Sequence, residues 1–116
     1  MAAKVLVCQE VGRFNMTTAR EFGELVFLVP EGVSPFSTDE IVCSVKASLS
    51  EQGYDPLVDY LALSGNLAVV AISTATVARF ARSEQIKVLI FNSRADSFQA
   101  RILHIPGLVA VTGSGA

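Results

Sequence analysis

The stretch Asp59-Tyr-Leu-Ala-Leu-Ser-Gly-Asn66, followed by a run of small apolar residues reaching Arg79, constrains the fold of this chain more than any other. It reads as a buried strand, a tight Ser-Gly-Asn turn and a buried helix. A helix entered through a glycine turn carries unpaired backbone N–H groups at its positive dipole end, where anions bind. The turn has two readings. It is an anion cradle formed by Ser64, Gly65 and Asn66, with the Ser64 hydroxyl as a further donor, or a plain strand-to-helix turn capped by Asn66. It is neither a P-loop nor a dinucleotide fingerprint, whose glycine spacings are absent.

Around this junction the chain alternates. Lys4 to Gln9 (KVLVCQ) and Leu25 to Val29 (LVFLV) are continuous apolar runs, the pattern of strands buried on both faces. Thr18 to Glu21 resembles a capping box and predicts a short helix ending at Gly23. Ser37 and Glu40 form a second capping box, with Phe36 and Ile41 at the staple positions. Ile41, Val45 and Leu49 then mark an apolar helical face, and Gly53 and Pro56 end that helix. Val58 to Leu63 is the third strand, and Asn66 to Arg82 a helix apolar enough to be buried on most sides. Lys87 to Asn92 (KVLIFN) is the fourth strand, and Phe98 to Leu103 returns as an antiparallel hairpin partner. His104 to Val111 adds a last strand or packs an edge, and residues 112–116 form a flexible tail.

This order predicts a single α/β domain over residues 1–116. The expected architecture is three-layered: a mostly parallel sheet of four to five strands, helices on its faces and a C-terminal antiparallel hairpin. In such sheets ligands bind outside the carboxyl ends of the strands. Three loops gather there: Gln9 to Asn15, Ser64 to Asn66, and Asn92 to Asp96.

Composition narrows the function classes. Of 116 residues, 51% are hydrophobic and only 17% charged, against about 25% charged in a typical domain. A domain this small cannot hide that much apolar surface alone, which predicts a homo-oligomer, a dimer above all. The net charge is −2 with no basic run, so duplex nucleic acid is not an expected partner. No stretch has the length of a membrane span or the layout of a signal peptide, and the expectation is a soluble cytoplasmic protein. Cys8 and Cys43 fit no metal motif and are expected to be reduced, buried core residues.

The candidate chemistry lies in the three loops. Arg13 and Asn15 follow the first strand, where Arg13 either reaches a phosphate in bidentate fashion or is a solvated loop charge. Asn92 and Arg94 follow the fourth strand. There Arg94 pairs with an anion and Asp96 positions it or acts as a base, or the segment is simply a hairpin turn rich in turn formers. His104, the only histidine, is structural or exposed unless Asp96 partners it. Asp55 and Asp59 precede the third strand, at the wrong end of the sheet for paired-carboxylate chemistry. No metal site and no cofactor are expected.

From Tyr60 to His104 the chain resembles the small CRISPR-associated ring nucleases that bind and cut cyclic tetra-adenylate. The corresponding pieces are LALSGN, the helix to Arg82, VLIFNSR and SFQARILH. Asn92 and Ser93 stand where that family has Asp and Pro, and the first half of the helix offers no histidine, so the resemblance implies binding rather than catalysis. The whole chain is also similar to short α/β proteins of phages and mobile elements. Together these readings predict an oligomeric protein that binds a nucleotide or other phosphate-bearing ligand through Arg13, Asn15, Ser64, Gly65, Asn66, Asn92 and Arg94. The alternatives are a structural or interaction protein with an apolar oligomer interface, and a slow metal-independent phosphodiesterase using Asp96 or His104 as acid or base.

Overall fold

In a computed structural model, which describes residues 2–10 and 16–105, the apolar runs assemble into one five-stranded sheet. The strands are β1 (Lys4–Gln9), β2 (Glu24–Val29), β3 (Tyr60–Ala62), β4 (Gln85–Asn92) and β5 (Ser97–His104). The helices are α1 (Thr38–Gln52) and α2 (Leu67–Ala81), and a single 3-10 turn covers Ala19–Glu21. The strand order is β2-β1-β3-β4-β5. The pairings β1–β2, β1–β3 and β3–β4 are parallel and β4–β5 is antiparallel, so the sheet is mixed.

The expected three layers are replaced by two and a thin cover. Ile41, Val45 and Leu49 of α1 and Val69, Val77 and Ala78 of α2 share one core with Leu6, Leu28, Leu61, Ile86 and Val88. Both helices therefore lie on one face. The cause is topological: β2 to β3 and β3 to β4 step the same way across the sheet, and right-handed crossovers in one direction stack on one side. The step from β1 to β2 runs the other way, and its connection falls on the opposite face. There Val5, Val7, Ala62, Leu89 and Phe98 pack against Ala19, Met16 and Phe22. Among the described residues, no α-helix contributes to that second core.

The capping signals are realised unevenly. Gly53 ends α1 in the left-handed region at φ 62°, and Tyr54 N–H donates to Leu49 O at 3.0 Å, a Schellman-type closure. Ser37 precedes α1, but its side chain caps nothing. Thr18 does not cap its 3-10 turn; its Oγ1 accepts the Phe98 N–H at 2.9 Å, tying the crossover to β5. α2 is less enclosed than its composition suggests, because among the described residues α1 is its only helical neighbour: Leu67, Ala71, Ala75 and Phe80 are exposed. Cys8 is buried, whereas Cys43 is exposed, contrary to expectation. It lies two residues past Ile41, about 200° around the helix from the apolar face. Among the described residues, no helix is long and apolar enough to cross a membrane. The expected strand or edge at His104 to Val111 lies outside them beyond Ile105, as does the tail.

Candidate functional site

The parallel strands β1, β3 and β4 are neighbours, so the segments after them emerge side by side at the carboxyl edge of the sheet. Two of the three predicted loops meet there. Gln9, the last residue of β1, is buried, and its backbone N–H donates to Ser64 O at 3.0 Å. Its Oε1 accepts the Asn66 N–H, also at 3.0 Å. Gly65 sits at φ 129°, and a Cβ there would lie 2.6 Å from the Gln9 Cβ. Only glycine combines that backbone with that approach.

This arrangement changes what the Ser64-Gly65-Asn66 turn offers a ligand. Asn66 is the N-cap of α2, its Oδ1 accepting the Ala68 N–H at 2.8 Å. Two of the N–H groups at the helix start are thus held by the protein's own amides. The Ser64 hydroxyl, expected as a donor to an anion, is buried with no hydrogen-bond partner, as is that of Ser73. Both belong to the surroundings of Cys8. Burial pushes the Cys8 thiol up to about 12, against a smaller opposing effect of the Ser64 backbone. Cys8 is therefore a neutral thiol at any physiological pH. Gln9, which makes this closure, was legible only as the single polar residue ending a buried run.

Arg13 and Asn15 lie outside the described residues. The third predicted loop is the turn of the β4–β5 hairpin. Asn92 Oδ1 accepts the N–H groups of Arg94 and Ala95 at 3.0 and 3.3 Å, an Asx turn. Asp96 then takes the left-handed conformation at φ 53°. Beside this turn is a shallow cleft of about 340 Å³ with Ile90 in its floor and Asn92, Ser93, Arg94, Gln99 and Arg101 around it. No carboxylate lines it. Gln99 and Arg101 were not among the predicted site residues. Their signal was the period-two alternation of SFQARILH, which places them on one face of β5 and Phe98, Ala100 and Ile102 on the other.

The acid–base pair is not assembled. Asp96 precedes β5 and His104 ends it, roughly 25 Å apart at the rise of an extended strand. Asp55 and Asp59 form a structural knot at the amino end of the sheet. Asp59 is 1% exposed. Its carboxylate accepts the Lys4 and Asp55 N–H groups, both at 2.9 Å, and pairs with Lys4 Nζ at 3.6 Å. Among the described residues no group of three or more His, Cys, Asp or Glu side chains is placed to hold a metal ion.

The most exposed part of the sheet is β5. It is an edge strand of eight residues, exposed continuously from Ala100 to His104. Ile102 is 63% exposed. At the other edge, Phe27 of β2 is 40% exposed. Bare strands of this length and pattern are templates for pairing with another chain.

Comparison with known proteins adds one finding. A family model described as phage Pam3 gp32-like protein matches residues 3–103. No curated protein and no solved structure matches the chain, and the resemblance to ring nucleases finds no support in these comparisons.

Proposed function

The chain belongs to the phage Pam3 gp32-like protein family, and from that premise we propose that it is a non-enzymatic interaction protein whose working surface is the outer edge of β5. The observation that carries this reading is the exposure of β5 from Ala100 to His104, with Ile102 in its centre. Main-chain groups at such an edge supply affinity, and alternate side chains supply specificity. Sedimentation velocity over a concentration series tests it. The native chain self-associates, and Ile102→Lys, which puts a charge on the bare edge, leaves a folded monomer. A native chain that stays monomeric throughout defeats the reading.

A second reading rests on a different observation. Arg94 and Arg101 flank a cleft without a carboxylate, which suits a nucleotide or another phosphate-bearing small ligand. It is the weaker of the two because the cradle at Gly65 and Asn66, which would have completed an anion site, is engaged by Gln9. Calorimetric titration with a panel of nucleotides decides it. Binding that disappears in the Arg94→Ala, Arg101→Ala double variant supports it; absence of heat with the native chain removes it.

A further inference from the structure

Resting on the interaction reading, the geometry points to a specific partner for β5: the outer edge of β2 on a second copy of this chain, giving a head-to-tail assembly. The backbone shows which groups are free to pair. Ile105 N–H donates to Glu84 O at 2.7 Å, and Gln85 faces His104 across the β4–β5 ladder. Odd-numbered residues of β5 therefore turn their backbone toward β4, and Ala100, Ile102 and His104 turn theirs outward. Phe98 also points outward, but Thr18 holds its N–H, so the usable edge starts at Ala100. On β2, Glu24 N–H donates to Ala3 O at 3.3 Å, which leaves Leu25 and Phe27 facing outward.

β5 runs antiparallel to β4, and β4 runs parallel to β2. In a continued sheet β5 therefore meets the next copy's β2 as an antiparallel pair. One register sets Ala100 opposite Phe27 and Ile102 opposite Leu25. A small residue then faces a large one at Ala100, Ile102 packs on Leu25, and the exposed Phe27 lies diagonal to Ile102 on the same face. On the helical face the same register brings Arg101 diagonal to Glu24. At the carboxyl end it directs the Arg94 turn toward the turn that holds Glu31.

Charge selects this pairing over the symmetric one. A two-fold β5–β5 contact centred on the free edge sets Arg101 against its own copy, and a two-fold β2–β2 contact joins two edges that carry Glu24 and Glu31 and no basic residue. Only the heterologous contact joins unlike edges. In the isolated chain Arg101 Nη1 donates to Ala100 O at 2.7 Å, covering one outward carbonyl. On pairing, the Phe27 N–H takes over that carbonyl and the guanidinium turns to Glu24. Such contacts close into a ring or extend as a filament.

The test uses two edge-blocked full-length chains, Ile102→Lys and Phe27→Lys, each checked for fold by circular dichroism. Head-to-tail pairing predicts that each alone is monomeric and that their mixture forms a 1:1 dimer that grows no further, because the contact uses the one intact edge of each chain and leaves only the two blocked edges free. A dimer of Phe27→Lys alone means two-fold β5 pairing. That outcome overturns this inference and leaves the interaction reading standing. Native chain that never associates overturns both. A mixture that stays monomeric overturns the head-to-tail assignment. Should Phe27→Lys fail to fold, charge reversal replaces it. Arg101→Glu and Glu24→Arg each weaken association roughly tenfold or more, and the double reversal restores it. Single reversals without effect overturn the assignment.

Discussion

β3 and β5 lie two strands apart in one sheet and are finished in opposite ways. Both ends of β3 are closed by a buried polar side chain, that of Asp59 directly before it and that of Gln9 from the end of β1. Asp59 ties the amino end to Lys4 and Asp55, and Gln9 ties the carboxyl end to Asn66. β5 carries no such closure along most of its outer edge. The contrast shows why the conventional ligand position of an open α/β sheet, beyond the carboxyl ends of its central strands, is not the most available surface here. Backbone N–H groups at the two ends of β3 are held by the Asp59, Gln9 and Asn66 side chains, whereas main-chain groups of β5 face outward at the margin.

The contrast predicts a hierarchy of effects. The largest separates the two cysteines. Cys43 is exposed and Cys8 buried beside the closed end of β3, so a thiol reagent labels Cys43 at once and Cys8 only on unfolding, slower by roughly a thousandfold or more. Equal rates break the comparison. The same burial gives a pH dependence. The Cys8 thiol moves from 9.0 to about 12 on folding, and the Tyr54 hydroxyl moves from 10.0 to about 12 through burial and the neighbouring charges of Asp59 and Asp55. Because both groups hold their protons more tightly in the folded chain, stability is unaffected by them below pH 9 and falls as pH rises toward 12. Urea titrations at a series of alkaline pH values read this directly.

Next comes Asp59→Ala. It leaves two backbone N–H groups and Lys4 without their acceptor at a buried position, at a cost of about 3 kcal/mol. Gly65→Ala at the other end of β3 meets both a positive φ and the Gln9 Cβ, and costs about 2 kcal/mol. Equilibrium unfolding of each variant measures these values, and a loss below about 0.5 kcal/mol at either site says that end of β3 is not closed as described. Asn66→Ala removes a single cap hydrogen bond and costs about 1 kcal/mol. The smallest effect belongs to the hairpin. Arg94→Ala shifts stability by no more than about 0.5 kcal/mol, since its side chain is exposed. A larger loss at Arg94 than at Asn66 would reverse the contrast between centre and edge.

Much of the fold was legible because it rests on local chemistry. The runs KVLVCQ, LVFLV and KVLIFN became β1, β2 and β4. The spacing of Ile41, Val45 and Leu49 became the buried face of α1, and Gly53 took the left-handed cap that its position required. The site was less legible. Ser64, Gly65 and Asn66 stand at a strand-to-helix turn as read, but what fills the turn is Gln9, distant in sequence. Asn92 and Arg94 stand in the turn after β4 where the sequence placed them, while Gln99 and Arg101 became their neighbours only through the β4–β5 register. Thr18 shows the same limit: its hydroxyl serves a strand eighty residues away rather than its own turn.

By itself, then, the sequence determined the elements, their order and the mixed α/β character of the sheet, because apolar periodicity, caps and turn residues act over a few positions. Only the tertiary structure decided that both helices share one face, that Gln9 closes the turn before α2, and that β5 is an edge strand exposed from Ala100 to His104. Those outcomes depend on the direction of each crossover and on strand register. Both place residues together that are tens of positions apart, and no local pattern records such a meeting.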